Sequence, residues 1–231
     1  MTIPIIYEDN HLLVVEKPPN ILSQGDSTQD TDMLTLLKQD LKTRYKKPGN
    51  VYLGLVHRLD RPVGGIMVFA KTSKAAARLA EQLRKQEFGR YYLAVVEGKP
   101  KKAGILVHYL LKNRRTNMVS AVSRKTAGAK KAVSDFYVIG TVDNLSLVLV
   151  KLHTGRPHQI RVQFSASGYP LCNDHKYGNT VKATNQPVAL WSYKIIFKHP
   201  TLKKELSFTR FPTLREPWTK FSGLIKEHEW K

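Results

Sequence analysis

A carboxylate placed between two arginines is the first feature of this sequence that could carry out chemistry. Asp60 lies in the segment His57-Arg58-Leu59-Asp60-Arg61-Pro62-Val63-Gly64-Gly65, between two apolar segments. Loops on a rigid scaffold are common places for reactive groups, and a carboxylate there can form and later break a covalent bond to a substrate. The alternative interpretation is a structural Asp that caps a turn and pairs with a neighbouring Arg.

A second segment combines a glycine turn with two histidines and two arginines. It is His153-Thr154-Gly155-Arg156-Pro157-His158-Gln159-Ile160-Arg161, and it predicts a helix with Pro157 in its first turn and Gly168 as its C-terminal stop. Helix N-termini attract anions, and Arg binds phosphate or carboxylate with two hydrogen bonds. A basic, solvated first turn is the other interpretation. A zinc site at His153 and His158 would need further ligands, and no Cys partner is present, so we expect no metal and no cofactor.

A third segment is the predicted strand Gly89-Arg90-Tyr91-Tyr92-Leu93-Ala94-Val95-Val96-Glu97-Gly98. Alternation along a strand puts Tyr91 and Tyr92 on opposite faces, one in the core and one outside. An exposed tyrosine beside an Arg can stack on a nucleobase. Ordinary core and rim tyrosines explain the strand nearly as well.

The charge of the chain favours a polyanionic partner. Lys and Arg number 38 against 18 Asp and Glu, which gives a net charge of +20 over 231 residues. The basic residues are spread through patterned segments as short pairs such as Lys46-Lys47, Lys130-Lys131 and Lys203-Lys204. Such a surplus attracts nucleic acid and speeds encounter with it, and an anionic membrane surface is the second candidate.

Length and composition predict one globular domain over residues 1–231. The chain is 42% hydrophobic, and its apolar runs are far shorter than the ~20 residues needed to span a bilayer. The N-terminus does not resemble a signal peptide, so we expect a soluble cytoplasmic protein. The single cysteine, Cys172, excludes an intrachain disulfide and is expected to be a partly buried structural residue. No obligate protein partner is indicated, and we expect a monomer.

The apolar patterns predict an α+β fold with a mostly antiparallel or mixed sheet. Helices are expected at 33–41, at 73–86 with Ser73 as N-cap, and at 157–168. Strands are expected at 3–7, 12–16, 51–56, 64–70, 91–96, 105–111, 118–122, 133–139, 145–152, 188–198 and 206–211.

Together the three segments resemble the RluA family of pseudouridine synthases. The H-R-L-D run of that family matches His57 to Gly65, its basic-x-Tyr-Leu-Ala strand matches Arg90 to Ala94, and its T-G-R-x-H-Q-I-R segment matches Thr154 to Arg161. An Asp and a Tyr-Gly follow at Asp174 and Tyr177-Gly178, and the opening blocks Tyr7 to Asn10 and Val14 to Pro18 also agree. Val63-Gly64 replaces a common Thr-Ser, Arg90 replaces the usual Lys, and Pro19-Asn20 departs from the first block.

The resemblance implies a pseudouridine synthase fold with flanking helices and a central RNA-binding cleft, without a preceding S4 domain. It makes Asp60 the catalytic carboxylate, Arg161 its partner and Tyr92 the residue that packs on the target uracil. Arg58 resembles the residue that fills the gap left by the extruded base. We also expect RNA contacts from the other basic residues of the motifs, which are His57, Arg61, Arg90, Arg156 and His158. The implied activity isomerises uridine in rRNA or tRNA and requires no cofactor.

Three other classes of protein fit the sequence less well. A non-catalytic RNA-binding protein explains the charge but not Asp60, because a carboxylate in a basic loop repels phosphate. A metal-dependent nuclease would need clustered carboxylates, and Asp60 has no acidic neighbour within its loop. A peripheral membrane protein would need a basic amphipathic helix, which the sequence lacks.

Overall fold

The computed structural model describes residues 2–178 and 186–227. Within them the helices are α1 (Met33–Arg44), α2 (Ser73–Arg84), α3 (Gln159–Ala166) and α4 (Ser222–Glu227). The strands are β1 (Ile5–Glu8), β2 (Leu12–Lys17), β3 (Gly54–Leu55), β4 (Gly64–Ala70), β5 (Gly89–Glu97), β6 (Ala103–Asn113), β7 (Met118–Val122), β8 (Lys130–Val142), β9 (Leu145–Leu152), β10 (Leu190–Lys198) and β11 (Glu205–Thr209). A mixed α+β fold with extensive antiparallel pairing is therefore confirmed.

The chain divides into two compact units, and the first combines residues up to Gly89 with Ser192–Arg210. Its strands follow the order β1-β2-β4-β10-β11, with the short β3 paired to β4. All seven residues of β4 are buried, as expected for a strand covered on both faces. Its core includes Val68 of β4, Leu79 of α2 and Phe197 of β10.

The second unit contains Arg90–Trp191 and the residues from Phe211 onward. Its antiparallel strands follow the order β5-β9-β8-β6-β7. Helix α3 packs on this sheet through Gln163, whose amide donates to Ala132 O at 3.2 Å and whose Oε1 accepts from Ser134 Oγ at 2.9 Å. Phe164 meets Phe136 edge to face. Buried polar and aromatic contacts therefore fix the helix that carries Arg161.

Three predictions about local structure were wrong, and two short elements were missed. Only Gly54–Leu55 of the expected 51–56 strand pairs with a neighbour. Thr72, not Ser73, caps α2, because its side chain accepts from Ala75 N. The third helix begins at Gln159, after Pro157, because His158 has a left-handed backbone with φ of 52°. The α4 helix after Pro217, and the 3₁₀ turn before it, were not predicted.

Candidate active site

The Asp60 loop is anchored by its own backbone. It connects β3 to β4, and Val63 N donates to Asp60 O at 3.0 Å, which closes a turn around the carboxylate. Leu59 is buried, and its N–H and carbonyl both bond to Ser23 Oγ, at 3.1 and 2.7 Å. Asp60 itself is partly buried. The predicted reactive loop is thus a braced turn.

Lys17, at the end of β2, lies beneath this loop with a relative exposure of 0%. Its Nζ donates to the carbonyls of Val63 at 2.7 Å, Pro18 at 3.0 Å and Arg61 at 3.1 Å. An ammonium group has three N–H donors, so the three acceptors match its full capacity. Burial lowers the pKa of Lys17 to about 7, whereas the nearby charge of Asp60 raises it. The lysine therefore ties the end of β2 to the part of the loop that directly follows Asp60.

Gly65, the second residue of β4, lies where two backbones approach closely. Its φ is +116°, and a Cβ at this position would lie 2.3 Å from Ser192 O. Only glycine fits such a conformation without strain. The Ser192 side chain also donates to Ile66 O at 3.0 Å, so the loop passes directly into buried sheet.

The three basic neighbours of Asp60 occupy different environments. His57 is buried against Phe88, and its Nε2 accepts from Val68 N at 3.2 Å. Arg58 is exposed. Arg61 is about half exposed and pairs with Asp30. Arg58 and Arg61 therefore face solvent, whereas His57 braces the start of the loop from inside.

In the second unit, Arg161 is a buried arginine with a buried carboxylate partner. It is 5% exposed, and its Nε and Nη2 donate to Asp174 Oδ2 and Oδ1 at 2.8 and 2.7 Å. Its guanidinium carbon lies 5.1 Å from the centre of the Tyr177 ring. Two-point bonding and ring contact together fix the plane of the guanidinium.

The turn before α3 is held by side chains of its own segment. Gln159 Oε1 accepts from Thr154 Oγ1 at 2.7 Å and from Arg156 N at 3.0 Å. The Arg156 side chain donates through Nε to Lys131 O at 3.0 Å. His158 Nδ1 lies 2.6 Å from Tyr177 Oη. The segment is an ordered turn rather than a loosely solvated first helical turn.

Strand β5 places its two tyrosines on opposite faces, as predicted. Tyr92 is 5% exposed and pairs across the strands with Val150. Tyr91 is partly exposed, opposite Lys151, whose Nζ lies 5.8 Å from the ring centre. The Arg90 guanidinium lies against the glycine turn, because a Cβ on Gly155 would be only 2.5 Å from its Nη1. The second and third sequence motifs therefore meet at Arg90 and Gly155.

The sequence interpretation assigned no role to Lys17 or Asp174. Both stand in blocks that match the family, but a lysine ending a strand and an aspartate in a loop are usually solvated. Cys172 is buried as predicted, and burial raises the pKa of its thiol to about 12. A thiol with that pKa is a poor nucleophile at neutral pH.

Comparison with known proteins identifies the family. The family model for RNA pseudouridylate synthase matches residues 11–166, which include Asp60, Tyr92 and Arg161. The chain belongs to this family. Ribosomal large subunit pseudouridine synthase D of Zymomonas mobilis is 33% identical over 88% of this chain and 67% of its own length. Ribosomal large subunit pseudouridine synthase C of Vibrio vulnificus is 34% identical over 87% of this chain and 63% of its own. The chain thus spans about two thirds of such relatives.

Solved structures of the family share the fold. Human RNA pseudouridylate synthase domain containing 4 aligns with a TM-score of 0.77 and 22% identity, covering 96% of this chain and 93% of its own. Human RNA pseudouridylate synthase domain containing 1 aligns with a TM-score of 0.72 and 20% identity, covering 98% and 96%. The RluA-type resemblance and the pseudouridine synthase fold are confirmed, and the activity class is that of an RNA pseudouridine synthase, an isomerase.

The individual roles of the site residues stay predictions. Asp60 belongs to the first unit and Arg161 to the second.

Over residues 2–178 and 186–227 no group of three or more His, Cys, Asp or Glu is arranged to hold a metal ion. In the same ranges no helix has the length and apolar character to cross a membrane.

Proposed function

We propose that this protein isomerises specific uridines in rRNA or tRNA to pseudouridine, with Asp60 as the catalytic carboxylate and Arg161 as its partner. The observation that carries the proposal is the family match, which includes both residues and Tyr92 in one continuous segment. Two relatives are named for the ribosomal large subunit, which makes large-subunit rRNA the first substrate to test. We expect the protein to act as a monomer in the cytoplasm.

The reaction breaks the bond between C1′ and N1 of uridine and forms a bond between C1′ and C5. The C5 proton is lost and N1 gains a proton, so the product is an isomer of the substrate. A carboxylate serves this exchange by adding to the sugar or the base, or by assisting removal of the C2′ proton, and is regenerated at the end. Nothing in this sequence of bonds requires a change of oxidation state.

A carboxylate that reacts in a site closed to water loses its hydration, at a cost in free energy. A paired arginine opposes that penalty, because it compensates the charge and orients the carboxylate. Arg161 suits this role because its guanidinium is buried and fixed in direction. The braced turn, tied to Lys17 through the carbonyls of Arg61 and Val63, holds the carboxylate for attack.

The target base must leave its stack to reach Asp60, at a cost of a few kcal/mol that loops and bent RNA reduce. Stacking on Tyr92 would recover ~1–3 kcal/mol of this. We propose that Arg58 fills the gap left by the base, and that Arg61, Arg90, Arg156 and His158 contact the RNA backbone. The burial of His57 favours support of the loop over direct contact with RNA.

The proposal is tested by mapping pseudouridine in total RNA from cells that lack the protein and from the same cells carrying the wild type or Asp60→Ala. We expect at least one position to lose pseudouridine without the protein, to regain it with the wild type and to stay unmodified with Asp60→Ala. Purified Asp60→Ala should hold RNA at least as well as the wild type, because the substitution removes a negative charge from a basic loop. Restoration by Asp60→Ala would show that Asp60 is not catalytic. An unchanged map in all strains would contradict the proposed activity.

A further inference from the structure

Arg161 forms a buried two-point pair with Asp174, a residue to which the sequence interpretation gave no role. Asp174 has a side-chain exposure of 0%, and Arg161 has one of 6%. A fully buried carboxylate bound to an arginine is costly to form unless the geometry is good and the remaining lone pairs are satisfied. Both conditions hold here, which makes the pair a built feature rather than a chance surface contact.

Asp174 is itself fixed by the chain that follows it. Its Oδ1 accepts from Lys176 N at 3.0 Å and from Tyr177 N at 3.1 Å, in addition to the bond from Arg161 Nη2. Its Oδ2 accepts from Arg161 Nε. Oδ1 therefore both organises the turn and holds Nη2 of the arginine, whereas Oδ2 binds Nε of the arginine.

Tyr177 connects the same turn to two other elements. Its hydroxyl accepts from Val119 N of β7 at 3.0 Å and lies 2.6 Å from His158 Nδ1 at the start of α3. Its ring lies over the Arg161 guanidinium. The turn is thus locked to the sheet and to the helix that carries Arg161.

The two-point pair with Asp174 uses one edge of the Arg161 guanidinium, and a second edge faces away from Asp174. Arginine has five N–H donors, and the Asp174 contact uses Nε and one N–H of Nη2. The Nη1 side and the second N–H of Nη2 point away from Asp174 because the fork is planar and rigid. That edge can hold a second carboxylate in the same plane.

We infer that Asp174 is a positioning residue, which fixes the direction and plane of the Arg161 guanidinium for the role proposed for that arginine as partner of the catalytic carboxylate. The inference rests on the proposed roles of Asp60 and Arg161. Asp174 acts through Arg161 and touches neither RNA nor the reacting atoms. Its loss should impair the chemical step and leave RNA affinity nearly unchanged.

Asp174→Asn separates orientation from folding. Asn retains Oδ1, so the bonds from Lys176 N, Tyr177 N and Arg161 Nη2 can persist. Its NH₂ group replaces Oδ2 and faces Arg161 Nε with a second donor, which breaks the two-point pair. The matched control is Asp143→Asn, because Asp143 lies in the same unit, is 68% exposed and pairs only at the surface with Lys220.

The assay is single-turnover release of tritium from total RNA labelled with [5-³H]uridine and taken from cells lacking the protein. The C5 hydrogen is lost when the new bond forms, so release reports the chemistry. We expect Asp174→Asn to lower the maximal rate by about 30-fold or more, equivalent to ~2 kcal/mol of barrier, with RNA affinity within about threefold of the wild type. Asp143→Asn should match the wild type in both measurements.

Circular dichroism and the NMR signal of Arg161 Nε–H complete the test. We expect a native spectrum for Asp174→Asn and faster solvent exchange of the Arg161 Nε proton. A maximal rate of Asp174→Asn within threefold of the wild type would overturn the inference. An unfolded variant, or an equal loss of rate and RNA affinity, would also overturn it, because either result would assign Asp174 to folding. Wild-type release that is absent, or that survives in Asp60→Ala, would instead contradict the proposed function.

Discussion

The buried lysine under the Asp60 loop gives a sharp prediction about stability and pH. Lys17→Met replaces the amine by an apolar side chain of similar length. Folding carries the Lys17 amine from water into a site where burial lowers its pKa from 10.5 to about 7. The substitution should therefore change how stability depends on pH, in addition to any constant effect of losing three hydrogen bonds.

The direction follows from proton binding. Between pH 7 and 10.5 the unfolded chain holds the Lys17 proton and the folded protein does not, so the free energy of unfolding rises with pH. The free-energy cost of burying the charged Lys17 amine is complete below the pKa of Lys17 in the folded protein. It disappears as pH rises toward the pKa of Lys17 in the unfolded chain. One proton contributes about 1.4 kcal/mol per pH unit. From pH 7 to about 9.5 the wild type should gain about 3 kcal/mol of stability relative to Lys17→Met.

The assay is urea unfolding at several pH values in this range, with the free energy in water taken from the linear dependence on denaturant. Taking the difference between the two proteins cancels the other titrating groups. Lys74→Met is the control, because Lys74 is exposed at the start of α2, and its curve should run parallel to the wild type. Parallel curves for Lys17→Met and the wild type would refute the argument. They would mean that the three carbonyls keep the ammonium charged in the folded protein.

Two further predictions concern RNA. Tyr92→Ala should lower the maximal rate by about 10- to 100-fold, equivalent to ~1–3 kcal/mol of lost stacking, with affinity for RNA within about threefold of the wild type. Tyr92→Phe keeps the ring and should retain most of the rate. A greater loss of affinity than of rate in Tyr92→Ala would argue against stacking on the target. Affinity measured by filter binding should fall steeply with salt, by about 20-fold for a fourfold rise if roughly three phosphates of a single strand are neutralised. A flat salt response would contradict a binding surface dominated by phosphate contacts.

Local apolar patterns in the sequence predicted much of the secondary structure. Strands β7 and β9 have the predicted bounds, and Asp60 lies in the expected loop between the short strand β3 and β4. These elements have clear alternation or apolar runs bounded by turn residues. The 51–56 strand was overpredicted because apolar residues there are buried without pairing along most of the segment. Backbone pairing depends on partners distant in sequence, which periodicity does not report.

The supporting residues of the site were harder to foresee for a related reason. Lys17 is buried because carbonyls from Arg61 and Val63, more than forty positions away, supply its acceptors. Asp174 matters because Arg161 reaches it from another element. The start of α3 depends on the left-handed backbone of His158, which the apolar periodicity of the segment does not report. Such features arise from tertiary contacts, and a local motif shows the residue without its partner.

The buried thiol of Cys172 has a practical consequence for work on this enzyme. The chain contains one cysteine, and that cysteine is shielded and resistant to ionisation. Labelling reagents that act on thiolates should leave it unmodified in the folded protein. A cysteine introduced at an exposed position, for instance in place of Lys74, would then accept a fluorophore or crosslinker selectively. The native chain can serve as its own background for mapping how RNA approaches the protein.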